Sequence, residues 1–383
     1  MKLLHTADWH LGRYLHGRSL IEDQAHVLDQ LVALARERAV DAVVVAGDVF
    51  DRSVPPAEAV ALLDDVLSRL VVGCGIPVVM IAGNHDSAER IGFAGRVSER
   101  QGLVMRGALD RLEPLVLADA HGEVAIHPLP YADPVTVRAL PGLDDVGDHQ
   151  QAMAGLLDGV RRRFVAGRRN VLVAHAFVAG GAESESERPL SVGGSGEVAA
   201  DSFAGFDYVA LGHLHRPQSI AGGRIHYAGS LLKYSFNEAA HDKSVSLVDI
   251  AADAAVAIER VALAPLRDLG VLRGDFAELL AGGGDAPERE HYLRAELTDT
   301  APLLDPMARL REIYPNLLEL QFVALDAGGE ARPGGRDHRQ RAPAELFAAF
   351  YQELIGEAPD EARMSAFEAV LATLMRRDRE DAE

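Results

Sequence analysis

The chain has 383 residues, of which 48% are hydrophobic and 25% charged, and its net charge is −20. This length predicts two or three domains, and the composition excludes an intrinsically disordered protein. The negative charge argues against a broad basic surface that grips nucleic acid, although bound divalent cations can reverse the sign of a local site.

The same composition predicts a cytoplasmic protein. No uncharged apolar stretch reaches the ~18–20 residues of a membrane span, and Asp8 and His10 lie where a signal peptide has its apolar centre. The single cysteine, Cys74, cannot form an internal disulfide, which agrees with a reducing compartment. We therefore expect no membrane association.

Short apolar runs alternate with helical patterns over residues 1–265. Helical spacing predicts helices over Ile21–Ala39 and Pro55–Leu70, and the prolines of the second suit a helix N-terminus. Five runs rich in β-branched residues predict buried strands: LLHTA (Leu3–Ala7), AVVVAG (Ala42–Gly47), VVMIAG (Val78–Gly83), VLVAHA (Val171–Ala176) and YVALGH (Tyr208–His213). This alternation predicts a layered α/β domain.

The pattern changes after residue 265. Residues 270–326 contain strand-like YLRAELT and LLELQFVAL on either side of helical MARLREIY, which predicts a small α+β capping domain. Residues 327–343 are rich in Gly, Pro and Arg and are typical of a linker. Residues 344–377 predict a pair of amphipathic helices with an aromatic-rich apolar face.

Polar residues that can bind metal follow the carboxyl end of every one of these five strands. The residues are Asp8, His10, Asp48, Asn84, His85, His175, His213 and His215. Ligands collect at this end of the strands in α/β sheets, so we expect these side chains to converge. A single Asp after a strand, such as Asp48, is typical of a turn or a helix cap, and the prediction therefore rests on the whole set.

Spacing and donor type indicate two cations. Asp8 and His10, like His213 and His215, are two residues apart and project to the same side of an extended segment. Without His85, the set offers two carboxylates, one amide oxygen and four imidazoles, enough for two cations that share one bridging group. The absence of thiolate favours manganese, iron, zinc or magnesium, and four imidazoles weaken the case for magnesium alone.

The motifs DWHLG, AGDVFD, AGNHDS, VAHAF and ALGHLHRPQ, in that order, resemble those of the calcineurin-like metallophosphoesterase superfamily. Within it, DWHLG, the loop SESERPLSVGG (Ser184–Gly194) and the appended C-terminal region are similar to the SbcD family of bacterial DNA nuclease subunits. The resemblance implies a layered α/β/β/α sandwich. It also implies a metal-dependent nuclease of DNA repair and recombination, with 3′-to-5′ exonuclease activity on duplex ends and endonuclease activity on hairpins or blocked ends.

The resemblance further implies a role for each residue of the set, with two manganese ions as the expected cofactor. One ion is held by Asp8, His10 and His215, the other by Asn84, His175 and His213, and Asp48 bridges them. His85 is expected to be a catalytic residue near the phosphate and not a ligand.

Further residues near the motifs are candidates for catalysis or substrate binding. Asp51 follows Asp48 by three residues, and we predict that its carboxylate turns toward His85 and fixes the tautomer of that ring; the alternative is a helix-capping Asp ahead of Pro55. Three arginines flank the motifs and either contact DNA phosphates or are simply solvated: Arg13, Arg18 and Arg52.

The resemblance also implies protein partners. The helix pair of residues 344–377 is expected to dock on an SbcC-type coiled-coil ATPase, the alternative being that it packs on the chain's own core. A homodimer within a heterotetramer is implied, with helices Pro55–Leu70 and Ser87–Gln101 as candidates for its interface. Two other functions remain open: a phosphatase or small-molecule phosphodiesterase with the same metal centre, and a scaffold subunit that has lost activity.

Overall fold

The computed structural model describes residues 1–188, 190, 196–282, 289–301, 303–323, 347–348, 351–352, 358–360 and 363–367. The strands are β1 Lys2–Thr6, β2 Tyr14–Leu15, β3 Arg18–Ser19, β4 Ala42–Val45, β5 Val78–Ile81, β6 Leu103–Arg106, β7 Leu115–Asp119, β8 Gly122–Leu129, β9 Arg169–His175, β10 Phe177–Val178, β11 Glu197–Val198, β12 Tyr208–Gly212, β13 Gln218–Ile220, β14 Ile225–Tyr227, β15 Ser244–Ile250, β16 Val256–Ala262, β17 Leu269–Gly274, β18 Tyr292–Leu297 and β19 Leu317–Phe322. The α-helices are α1 Ile21–Glu37, α2 Ala57–Ser68, α3 Ala88–Ile91, α4 Gly95–Ser98, α5 Pro134–Arg138, α6 His149–Arg161, α7 Phe276–Leu280 and α8 Pro306–Arg311.

Two six-stranded sheets form the centre of the fold. The first has the order β16-β15-β1-β4-β5-β6 and the second β13-β14-β12-β9-β8-β7. In the first sheet β1, β4, β5 and β6 are parallel, and in the second β8, β9, β12 and β14 are parallel. The five predicted strands correspond to β1, β4, β5, β9 and β12, so the strand prediction is confirmed.

Apolar side chains between and outside the sheets divide the fold into four layers. Leu3, Val44 and Val79 of the first sheet pack in one buried cluster with Val173 and Ala210 of the second. On the outer face of the first sheet, a second cluster takes in residues of α1 and α2, and on the outer face of the second sheet a third takes in residues of α6. The α/β/β/α arrangement is therefore confirmed.

The predicted helix over Ser87–Gln101 is interrupted. It consists of α3, α4 and a short 3₁₀ turn over Glu99–Gln101. Ala94, between α3 and α4, has a φ of +55°, a left-handed conformation that breaks the helical hydrogen-bond pattern. The neighbouring Gly92 and Gly95 have low helix propensity, which explains why the apolar pattern alone overestimates the helix.

The C-terminal region contains the predicted small elements. β17, β18 and β19 form a three-stranded sheet. The segments YLRAELT and LLELQFVAL contain β18 and β19, and MARLREIY overlaps α8, which begins one residue earlier at Pro306. By internal contacts one compact unit comprises Met1–Arg273, Ala277–Ala295 and Asp305–Leu320, and a second comprises Gly274–Phe276, Glu296–Leu304 and the described residues from Gln321 onward. The domain limits at 1–265 and 270–326 stay predictions.

The predicted linker, residues 327–343, lies outside the described residues, and the helix pair of residues 344–377 lies only partly within them. Residues 347–348, 351–352 and 363–367 are helical. The Phe347 ring stacks on the Phe367 ring with 4.3 Å between centroids, so described residues of the two predicted helices contact each other. Across the described residues, none of the helices combines the length and apolar character needed to cross a bilayer.

Candidate metal centre

The parallel strands of both sheets end at one site, where the loops that follow them carry the predicted metal ligands. A Cβ built on Gly212, at the end of β12, would lie 2.1 Å from the Ala46 carbonyl oxygen, so the two sheets approach closely there. Asp8, His10 and Asp48 have φ values of +52°, +46° and +48°. Such left-handed conformations of non-glycine residues cost ~1–3 kcal/mol each and are concentrated at functional sites.

Asp8, His10 and His215 form the first group of donors, and all are buried. The His10 Nε2 and His215 Nε2 atoms are 3.0 Å apart. Donors that bind one cation at ~2.1 Å and at right angles to each other lie ~3 Å apart, so this spacing suits two ligands of one ion.

Asn84, His175 and His213 form the second group. The Asn84 Oδ1 atom lies 2.8 Å from His175 Nε2 and 3.3 Å from His213 Nδ1. Asp48 lies between the two groups, since its Oδ2 is 3.7 Å from His10 Nε2 and 3.6 Å from His175 Nε2. This is the position that a bridging carboxylate requires.

Hydrogen bonds to the main chain hold several of these side chains in place. The His175 Nδ1–H donates to the Ala46 carbonyl at 2.9 Å, which leaves the Nε2 lone pair directed at Asn84 and Asp48. The Asp8 carboxylate accepts from the His213 main-chain N–H at 2.9 Å. These main-chain contacts therefore orient the His175 and Asp8 side chains.

The electrostatics of the cluster suit bound cations. Burial, reinforced by the neighbouring imidazoles, lowers the pKa of His10 and of His213 well below the usual value, so both rings are neutral and able to act as ligands. Burial and then repulsion by Asp48 raise the pKa of Asp8 well above its usual value. Two buried carboxylates among four imidazoles are the donors that two divalent cations need, so the residues fit the implied metals.

His85 lies beside this cluster at the edge of a cleft. Its ring Nδ1 is 2.9 Å from the Asp51 main-chain carbonyl, and its main-chain N–H donates to Asp48 Oδ1 at 2.9 Å. Because a carbonyl can only accept, Nδ1 carries a proton and donates it to the Asp51 carbonyl.

The prediction that the Asp51 carboxylate contacts His85 is wrong, because a different group of Asp51 makes that contact. The main-chain carbonyl of Asp51 takes the Nδ1 contact, while the carboxylate accepts from Arg13 at 3.0 Å and lies 3.6 Å from His10 Nδ1. A sequence spacing of three residues brings Asp51 to His85 but does not determine which of its groups points there. A catalytic role for the Asp51 carboxylate stays a prediction.

The cleft beside His85 has a volume of about 620 Å³ and is lined in part by arginines. Two predicted substrate-binding residues, Arg13 and Arg52, line it, whereas Arg18 lies exposed in β3 and is not part of the lining. Arg188, the last residue of the SESER segment (Ser184–Arg188), lines the cleft as well. The sequence prediction missed Arg188 because tertiary structure brings it to the cleft that Asn84 and His85 also line.

Asp86, which the sequence predicts as the cap of the helix near Ser87, instead contacts two loops, and the cap of α3 is Ser87. The Asp86 carboxylate accepts from the main-chain N–H groups of Val49 (3.0 Å), Phe50 (2.8 Å) and Gly83 (2.9 Å), so it joins the loops after β4 and β5. Burial, followed by repulsion from Asp48, raises the pKa of Asp86 to about 7.

Comparison with known proteins agrees with this geometry. Residues 1–217 match the calcineurin-like phosphoesterase family, and residues 265–354 match the family described as type 5 capsule protein repressor C-terminal domain, SbcD_C. The chain is 36% identical over 327 residues to the SbcD subunit of nuclease SbcCD from Staphylococcus epidermidis, covering 85% of this chain and 86% of that protein. It is 34% identical over 379 residues to the protein of the same name from Staphylococcus saprophyticus, covering 98% of this chain and 99% of that protein. The chain therefore belongs to the calcineurin-like phosphoesterase family and, within it, to the SbcD-type nuclease subunits.

Proposed function

We propose that the chain is a two-metal DNA nuclease that hydrolyses phosphodiester bonds at the cluster of Asp8, His10, Asp48, Asn84, His175, His213 and His215. The observation that carries the proposal is the position of Asp48 Oδ2, 3.7 Å from His10 Nε2 and 3.6 Å from His175 Nε2, between two sets of donors. Manganese is the proposed metal because the resemblance to the SbcD family implies it. The donor set itself, with carboxylates, an amide oxygen and four imidazoles, also suits iron and zinc.

When bound, two divalent cations supply Lewis acidity, which polarises the phosphoryl oxygens and makes a water more acidic. His85 faces the reacting phosphate with Nε2, since Nδ1–H is held by the Asp51 carbonyl. It positions the phosphate or, when protonated, gives a proton to the leaving sugar oxygen. Arg13, fixed by the Asp51 carboxylate at 3.0 Å, offsets phosphate charge together with Arg52 and Arg188.

The proposed reactions are 3′-to-5′ exonuclease action on duplex ends and endonuclease action on hairpins or blocked ends, in DNA repair and recombination. The proposed partner is an SbcC-type coiled-coil ATPase, because both Staphylococcus relatives are named as a subunit of SbcCD. Such a partner would supply the basic DNA track that a chain of charge −20 lacks. The cytoplasmic location predicted from the sequence suits a protein that acts on DNA.

A homodimer within the heterotetramer completes the proposal. Phe93 and Val97, in the segment predicted to form this interface, are 78% and 74% exposed. Large apolar side chains as exposed as these are candidates for a protein–protein contact. Light scattering on wild type and on Phe93→Asp tests this assembly, and a wild-type chain that is monomeric at micromolar concentration contradicts it.

The function is tested by incubating the purified chain and Mn²⁺ with blunt-ended duplex DNA or with small phosphate esters, with and without the ATPase partner. We expect DNA cleavage that depends on Mn²⁺ and is lost in His85→Ala. Cleavage of esters alone, with DNA intact even when the partner is present, would instead assign the chain to the phosphatases or small-molecule phosphodiesterases of the family. A folded chain that binds no metal would point to an inactive scaffold.

A further inference from the structure

Ser186 and Glu238 lie behind His215, outside the metal centre, and neither is one of the predicted metal ligands. The His215 ring Nδ1 is 2.5 Å from Ser186 Oγ, and Ser186 Oγ also contacts Glu238 Oε1. Ser186 belongs to the SESER segment after β10, whereas Glu238 comes from the 3₁₀ turn Phe236–Glu238. Two segments far apart in sequence thus meet behind one predicted metal ligand.

The donor and acceptor in each of these hydrogen bonds can be assigned from the groups around Glu238. Lys243 lies 2.5 Å from Glu238 Oε2 and gives its two other protons to the His215 carbonyl and to Ser230 Oγ, each at 2.8 Å. Beside this ammonium group Glu238 is a carboxylate and can only accept, so Ser186 must donate its single proton to Glu238. The Ser186 oxygen then accepts from His215 Nδ1–H.

The direction of these hydrogen bonds determines the tautomer of His215 and therefore which ring nitrogen can bind a cation. With the proton of His215 on Nδ1, the lone pair lies on Nε2, the atom 3.0 Å from His10 Nε2. The main chain of His215 is held as well, since its N–H donates to Glu187 Oε1 at 2.7 Å and its carbonyl accepts from Lys243. The ring is therefore constrained in position, orientation and tautomer.

We propose that Ser186 and Glu238, with Lys243 as counter-ion, form a positioning relay that sets the affinity of the cation held by Asp8, His10 and His215. Ser186, Glu238 and Lys243 are positioning residues, because they act through His215. The proposal rests on the two-metal function above and deepens it. It assigns a role to the SESER segment: docking of this segment prepares one of the two cation sites.

The test is titration of metal-free protein with Mn²⁺ by calorimetry, comparing wild type with Ser186→Ala. Loss of an outer hydrogen bond to a metal-binding His typically costs ~10–100-fold in affinity. We expect a loss of that size for one of the two ions in Ser186→Ala, an unchanged affinity for the other ion, and recovery in Ser186→Thr, which keeps a hydroxyl group. Glu185→Gln, a change at the exposed neighbour of Ser186, is the matched control and should leave both affinities at the wild-type values.

Glu238 is buried, and Glu238→Gln is therefore examined second, after circular dichroism has established that it folds. Two wild-type affinities that both persist in Ser186→Ala would overturn the relay and leave the nuclease function intact. An equal loss at both ions, unrelieved by Ser186→Thr, would also overturn it, because that result indicates general disruption. A wild-type chain that binds no Mn²⁺ would overturn the relay together with the proposed two-metal function.

Discussion

His85 adjoins the cation-binding side chains without belonging to either donor group, and its Nδ1–H is held by a main-chain carbonyl. We expect His85→Gln to bind both Mn²⁺ ions with wild-type affinity and to lower kcat for DNA cleavage by ~10²-fold or more, the contribution typical of a general acid or base. Calorimetry and single-turnover cleavage measure the two quantities. Loss of one bound ion in His85→Gln would show that His85 is a ligand.

Arg188 is the cleft residue that the sequence did not reveal, and its predicted effect is electrostatic. Removing one phosphate contact should weaken DNA binding uniformly across sequences and reduce the slope of log K against log salt by about one. We expect this change in Arg188→Gln, measured by fluorescence anisotropy at several salt concentrations. Arg163→Gln, an exposed position after α6, removes the same charge away from the cleft and serves as the control. Equal slopes for Arg188→Gln and wild type would exclude the contact.

The ends of β4 and β12 determine how closely the two sheets approach each other. A Cβ at Gly212 would lie 2.1 Å from the Ala46 carbonyl oxygen and 3.0 Å from His175 Nδ1. We expect Gly212→Ala to separate β12 from β4 and to weaken Mn²⁺ binding by at least ~10-fold, with a lower Tm, because backbone atoms must move. Gly159→Ala in α6 has its nearest contact at 3.6 Å and should be neutral or slightly stabilising. Wild-type metal affinity in Gly212→Ala would contradict this account of the sheet contact.

Some parts of the fold and of the metal centre can be predicted from the sequence, and others cannot. The strands, the first two helices and the convergence of Asp8, Asp48, Asn84 and His213 could be predicted, because the periodicity of buried strands and the chemistry of their carboxyl ends are local signals. The atoms of Asp51 that face His85, the place of Arg188 and the relay behind His215 could not. Each depends on loops that tertiary contacts bring together, and no spacing in the sequence encodes them.

At the scale of the whole molecule, buried histidines connect the two sheets and make stability sensitive to acid. His226 on β14 lies 2.8 Å from Ser246 Oγ on β15 of the other sheet, and burial, then Arg260, lowers the pKa of His226 to about 4. In the unfolded chain a histidine has a pKa of ~6.5. Between this pH and about 4, the unfolded chain binds a proton at His226 and the native state does not. This contribution to stability is therefore present above pH ~6.5 and is lost as pH falls toward 4.

The His226 ring also contacts Ser219 Oγ at 2.8 Å. We expect His226→Gln, which retains polar groups between Ser219 and Ser246, to reduce the dependence of unfolding free energy on pH by about 1 kcal/mol per pH unit between pH 6 and 4.5. Urea denaturation of metal-free protein across this range measures it, and His121→Gln on an exposed turn is the control. Parallel curves for wild type and His226→Gln would rule out the buried neutral ring as a source of acid sensitivity.

Seven side chains from both sheets are proposed to form one centre for two cations that share Asp48, and this centre is checked by titrating metal-free protein with Mn²⁺. We expect two Mn²⁺ ions per wild-type chain and weaker binding of both ions in Asp48→Asn, since each ion shares this carboxylate. Fewer than two ions in the wild type, or an Asp48→Asn chain that keeps one ion at wild-type affinity, would rule out a two-cation centre bridged by Asp48.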